Sequence, residues 1–256
     1  MSGRRLLAAL IATAVALAGC AGTPVSQVPS AAGGASATTA ATATPWPTPE
    51  LREEEVALQA SDGIVLIATL RGEGPTGVVL AHMNGGQASD WDPLTDALVD
   101  AGYRVLALNL RGNGRSQPPM ESASLPLDVE AGAQYLRDAG ADRVVLAGAS
   151  MGGTTVLAAA AAAQPAAVVV MAAPRVFEGL ELTENELAQL TMPKLFITAE
   201  HDPLRDSFDE IVAMAAPPNE EAIYPGIEHG TRLFGGSHAA EVIGAIVAFI
   251  EAEAAV

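Results

Sequence analysis

The chain is poor in residues that several common functions depend on. One cysteine in 256 residues leaves no partner for a disulfide within the chain. Four histidines are scattered, with no HxH, HExxH or CxxC spacing, which argues against a histidine-rich metal site. Thirteen Lys and Arg stand against thirty Asp and Glu, a formal net charge of −17. Such a chain repels a phosphate backbone, so nucleic acid is not an expected partner. Charge is also scarce overall, at 17%, while half the residues are apolar, the composition of a folded core rather than a disordered protein. The length fits one α/β domain or two small ones.

The N-terminal fifth of the sequence reads as something other than the domain. Arg4 and Arg5 precede an apolar stretch from Leu6 to Ala18, too short to span a bilayer comfortably. It ends Leu17-Ala18-Gly19-Cys20, which resembles a bacterial lipobox. The expectation is a signal peptide over 1–19, lipidation of Cys20, and a chain held by that lipid to a membrane of the bacterial cell envelope, facing outside the cytoplasm. Residues 20–50 contain mostly Ala, Thr, Ser, Gly and Pro, with no charge from Ala21 to Pro49, and read as a disordered tether. The folded domain is expected over 51–256.

Within that domain, short apolar runs alternate with helical patterns. Glu53–Gln59 and Ile64–Leu70 read as strands joined by the turn Ala60-Ser61-Asp62-Gly63. Further strands are predicted at Gly77–Ala81, Tyr103–Leu108, Arg143–Ala147, Ala167–Met171, Lys194–Thr198 and Glu221–Tyr224. Helices are predicted at Trp91–Ala101, Leu127–Ala139, Met151–Ala163, Leu204–Ala215 and Ser237–Ala254. Apolar strands alternating with helices predict a mostly parallel sheet covered on both faces, with the leading hairpin as an antiparallel edge.

The chemistry concentrates at three loops. Strand Arg143–Ala147 runs into Gly148-Ala149-Ser150-Met151-Gly152 and then directly into a helix, a G-x-S-x-G sequence in a strand, tight turn, helix context. A serine there is a nucleophile candidate, but its hydroxyl needs a base, and the base an orienting acid. Asp202 follows the strand ending at Thr198, with Glu200 as the alternative acid and a helix N-cap as the competing role for Asp202. His229 lies in the loop after the next strand. His201 and His238 compete with it less well, the first beside the proposed acid and the second opening the last helix. An oxyanion needs two N–H donors. Met151, at a helix start, supplies one. The loop His82-Met83-Asn84-Gly85-Gly86 supplies the other from Met83 or Asn84, with Asn84 preferred.

Val78–Gly86, Tyr103–Ser116, the elbow Gly148–Gly153, and Asp202 with His229 together resemble the α/β-hydrolase superfamily, from about residue 54 to 252. The resemblance implies an α/β-hydrolase fold with about eight strands, a Ser150–Asp202–His229 triad at the C-terminal sheet edge, and no cofactor. It places His82 out of order for a base and leaves it a substrate-binding role. The chain departs in having Met83, Asn109 and Asn113 where the family often has Gly, Asp and His. The segment available for a lid, Arg175–Thr191, is short and acidic, enough for one short helix, which suggests an open cleft. The resemblance is to dienelactone-hydrolase-like and small carboxylesterase members, with esterase chemistry favoured because the elbow carries Ser150 rather than cysteine. The expected activity is hydrolysis of small-molecule esters with small or modest acyl groups through an acyl-enzyme. A thioesterase, a peptidase, an acyltransferase or a tethered binding module remain open alternatives.

Overall fold

The computed structural model describes residues 46, 50–52 and 54–254, which fall in one compact unit. The signal peptide, Cys20 and nearly all of the tether lie outside the described residues. Among the described residues no helix is long and apolar enough to cross a membrane, and no group of three or more His, Cys, Asp or Glu is placed to hold a metal ion.

Among the described residues are ten strands and six α-helices, which alternate through most of the domain. The strands are β1 (Glu55–Gln59), β2 (Val65–Arg71), β3 (Thr76–Ala81), β4 (Arg104–Leu108), β5 (Arg143–Ala149), β6 (Ala167–Met171), β7 (Val176–Phe177), β8 (Leu180–Glu181), β9 (Lys194–Ala199) and β10 (Asn219–Tyr224). The helices are α1 (Asp92–Asp100), α2 (Leu125–Asp138), α3 (Met151–Ala163), α4 (Glu184–Leu187), α5 (Arg205–Met214) and α6 (Ala239–Ala254). Eight strands form one sheet in the order β1-β2-β4-β3-β5-β6-β9-β10. The β1–β2 and β2–β4 pairs are antiparallel and every other pair in that sheet is parallel, so the predicted mixed sheet with an antiparallel edge is what forms.

Alternation along the strands splits the core in two, because successive side chains point to opposite faces. Val79 and Ala81 of β3 join a cluster with α2, α3 and α5, whereas Val78 and Leu80 join one with α1 and α6. Burial on both faces is why the central strands read as unbroken apolar runs. The parallel strands all deliver their C-terminal ends to one edge, where the loops after β3, β5, β9 and β10 lie side by side.

The 175–191 segment is more than the single helix expected of it. It contains the β7–β8 hairpin as well as α4, and it is fastened to the domain body. Leu182, Leu187 and Leu190 are buried in the core cluster with α3 and α5. Arg175 bridges Glu181 at 2.6 Å and Glu210 at 3.2 Å, and its N–H donates to Ser207 Oγ at 2.6 Å. Its length allowed one short helix but gave no sign of the hairpin, since strands of two residues have no periodicity to read.

Candidate active site

The elbow is built from close approaches that only glycine permits. A Cβ on Gly148 would lie 2.2 Å from the Gly152 carbonyl oxygen, and one on Gly152 would lie 2.1 Å from the Ala81 oxygen. Those contacts let β5 turn straight into α3 beside β3. Ser150 pays for the turn with φ +50° and ψ −119°, a conformation that costs on the order of 1–3 kcal/mol in a non-glycine residue. The turn is pinned because Ser150 N–H donates to Met171 O at 2.8 Å and Ser150 O accepts from Thr154 N–H at 3.1 Å. The serine sits at the N-cap of α3 and is 8% exposed.

Asp202 and His229 meet across the ends of β9 and β10. His229 Nδ1 lies 2.9 Å from Asp202 Oδ2 and 3.1 Å from Oδ1, and the Asp202 side chain is fully buried. A carboxylate can only accept, so Nδ1 carries the proton and Nε2 is left as the basic nitrogen. Asp202 Oδ1 also accepts from Leu204 N–H at 2.7 Å. The helix-start role and the histidine-orienting role are therefore combined in one side chain. Gly230 brings the histidine loop to the elbow: a Cβ on it would lie 3.4 Å from Ala149 Cβ and 3.9 Å from Ser150 Cβ. Glu200 and His201 are exposed on the same loop, and His238 pairs with Glu241 and packs on Tyr224.

His82 differs from its expected substrate-binding role. Its side chain is fully buried, and both ring nitrogens are occupied by the backbone. Nε2 accepts from Leu110 N–H at 3.1 Å, so Nδ1 must be the protonated nitrogen, and it donates to Met83 O at 2.8 Å. Burial pushes the ring's pKa down, holding it neutral in that tautomer. His82 thus ties the loop after β3 to the loop after β4. Nothing in the sequence pattern signals this, because a histidine at a strand end looks the same whether it faces solvent or backbone.

The loop after β4 carries a buried ion network that sequence reasoning passed over. Arg111, 1% exposed, donates from Nε and Nη2 to Asp128 Oδ1 at 2.8 and 2.7 Å, and from Nη1 to Asp62 Oδ2 at 2.6 Å. It joins the β1–β2 turn, the β4 loop and α2. Asn109 adds a second tie, accepting from Ala88 N–H at 3.0 Å.

A cleft of about 630 Å³ opens beside this constellation. Its walls include Met83, Asp90 and Pro93 on one side and Glu228, Arg232 and Phe234 on the other. It flanks Ser150, Asp202 and His229 and is not lined by them.

A family model described as alpha/beta hydrolase fold matches residues 77–190, which hold the β3 loop and the elbow. The chain is 34% identical over 92 residues to the dihydrolipoyllysine-residue acetyltransferase component of the acetoin cleaving system from Cupriavidus necator, covering 36% of this chain and 24% of that protein. It spans about a quarter of the length of the curated relatives it matches. Solved structures match over far more of the domain. The Pyrococcus furiosus esterase Pf2001 superposes with a TM-score of 0.68 at 17% identity, covering 82% of this chain and 99% of that one. XC6422 from Xanthomonas campestris, described as an a/b serine hydrolase without lid, superposes with a TM-score of 0.63 at 19% identity, covering 80% and 97%. The sheet order, the strained Ser150 turn between β5 and α3, and these superpositions establish that the chain has the α/β-hydrolase fold.

Proposed function

We propose that the protein is a serine hydrolase of the α/β-hydrolase superfamily that cleaves carboxylic esters of small or modest acyl groups. The observation that carries this reading is the Asp202 carboxylate on His229 Nδ1, in a loop packed against the Ser150 elbow. Ser150 Oγ attacks the acyl carbon, and His229 Nε2 takes its proton. The protonated ring then gives that proton to the leaving alcohol, while Asp202 stabilises the imidazolium. Water repeats the sequence on the acyl-enzyme and returns Ser150 to its starting state.

The tetrahedral oxyanion takes its donors from Met151 and Asn84. A trans peptide points its C=O and the following N–H in opposite directions. Met83 O accepts from the His82 ring at 2.8 Å and from Gly86 N–H at 2.9 Å, so Asn84 N–H faces away from both. The His82 oxygen, in contrast, lies close to Gly152, where a Cβ would be 2.7 Å from it. The Met83 N–H therefore faces away from the start of α3, where Met151 supplies the other donor. Two donors must converge on one oxygen, which favours Asn84 over Met83.

The test is turnover of p-nitrophenyl esters of increasing acyl length by the purified protein and by Ser150→Ala. Serine-dependent turnover that falls with chain length is expected. Equal inertness of both proteins on every ester would sink the esterase reading. The envelope anchor belongs to the same proposal on sequence grounds: lipid on Cys20 tethers the domain through residues 20–50. A fatty-acid label that persists in Cys20→Ser would overturn it.

A further inference from the structure

We propose that Met83 is a specificity-determining residue, whose thioether separates Ser150 from the neighbouring cleft and keeps the substrate group on that side short. The inference rests on the esterase reading and adds the residue that sets its size limit. The cleft of about 630 Å³ has the capacity of a small-molecule pocket and is lined by Met83, Thr231 and Phe234, but not by Ser150 or His229. A large space thus lies next to the nucleophile with neither Ser150 nor His229 in its walls.

Met83 occupies the partition between the two. Its Sδ lies 3.4 Å from the position a Cβ would take on Gly230, and Ser150 Cβ lies 3.9 Å from that same position. Gly230 has φ +57° and no side chain, so the thioether and the Ser150 side chain border the same small space beside it. The sulfur is also held: Thr231 Oγ1 donates to it at 3.3 Å. A methionine has three rotatable side-chain bonds and would otherwise be an adaptable wall. Fastened at its sulfur and half-buried against the α1–α6 core, it becomes a fixed one. The contact also joins the oxyanion loop to the histidine loop, so the wall crosses the site between its two functional edges.

The experiment compares full-length wild type, Met83→Ala, Met83→Leu and Thr231→Val on two ester series. One runs from p-nitrophenyl acetate to decanoate, and the other from ethyl to decyl acetate, so that a group on either side of the scissile bond is sampled. The readout is kcat/KM for the longest ester relative to the shortest. Met83→Ala is expected to raise that ratio by about tenfold or more in one series, the scale at which pocket methylenes discriminate. Met83→Leu, close in volume and stiff enough to need no fastening, is expected to keep the wild-type ratio, and Thr231→Val, which frees the more flexible methionine, to fall between. An unchanged ratio in both series for a folded Met83→Ala overturns the inference while leaving the esterase reading intact. Should Met83→Ala fail to fold, Thr231→Val decides, and an unchanged ratio there overturns the inference equally. Absence of Ser150-dependent turnover in every protein removes the esterase reading and this inference with it.

Discussion

The Asp202 carboxylate serves two neighbours at once: both oxygens face His229 Nδ1, at 2.9 and 3.1 Å, while Oδ1 also takes the Leu204 N–H at 2.7 Å. The two duties separate on mutation. Asp202→Asn keeps an acceptor for Leu204 but sets an amide against the imidazole, favouring the wrong tautomer. Under the proposed mechanism kcat is expected to fall roughly a thousandfold to ten-thousandfold. Melting temperature, followed by circular dichroism, is expected to change little.

Gly152→Ala tests the elbow itself. Its new Cβ would lie 2.1 Å from Ala81 O, a backbone atom that cannot swing aside as a side chain end can. The α3 helix and β3 would have to part, at a cost on the order of 3 kcal/mol. Urea unfolding is expected to show that loss, together with loss of ester turnover. Native stability in this variant would show that the close approach does not exist.

Arg111→Met leaves Asp128 as a fully buried carboxylate without its cation. Removing one partner of a buried pair costs about 3–5 kcal/mol. Replacing both, in Arg111→Met with Asp128→Leu, is expected to cost less than Arg111→Met alone, because no buried charge is left uncompensated and Asp62, the other partner, reaches solvent. Chemical denaturation of the wild type and the two variants measures the difference. A larger loss in the double variant would show that the network contributes more than neutralisation.

Lys194 makes stability depend on pH. Its side chain is fully buried at the start of β9, with Nζ donating to Leu190 O and Met192 O at 2.7 Å each and no carboxylate among its partners. Burial pushes its pKa down from 10.5 to about 8. Between those values the unfolded chain binds the proton more tightly than the folded one, so this residue's contribution to stability rises as pH increases from 8 towards 10.5. The gain is at most about 3.5 kcal/mol, at ~1.4 kcal/mol per pKa unit. Comparison of wild type with Lys194→Met isolates it: the stability difference is expected to change over that window and stay flat from pH 6 to 7. A difference independent of pH from 6 to 10 would contradict it.

Much of the fold was legible because the central strands are buried on both faces and so carry unbroken apolar runs. Met151–Ala163 and Ala167–Met171 form as read, and the other sheet strands and long helices differ only at their ends. The elbow was legible for a different reason: Gly148 and Gly152 answer a local steric demand that no other residue meets. Features carried by long-range contact were not. His82 pairs with Leu110, Arg111 with Asp128 and Asp62, and Thr231 with Met83, and none of these pairs leaves a trace in local spacing.

By itself, then, the sequence determined what local physics decides: where apolar periodicity builds strands and helices, where glycine must stand, and in what order Ser150, Asp202 and His229 arrive. Tertiary structure decided which groups meet and which remain free. It set the imidazole of His229 on the Asp202 carboxylate and took His82 out of solvent by occupying both its nitrogens. It also brought Met83 Sδ within 3.3 Å of Thr231 Oγ1, across the ends of β3 and β10. Direction and distance across strands far apart in the chain arise only when the sheet closes, because a side chain's neighbours there are chosen by packing and hydrogen bonding rather than by its place in the sequence.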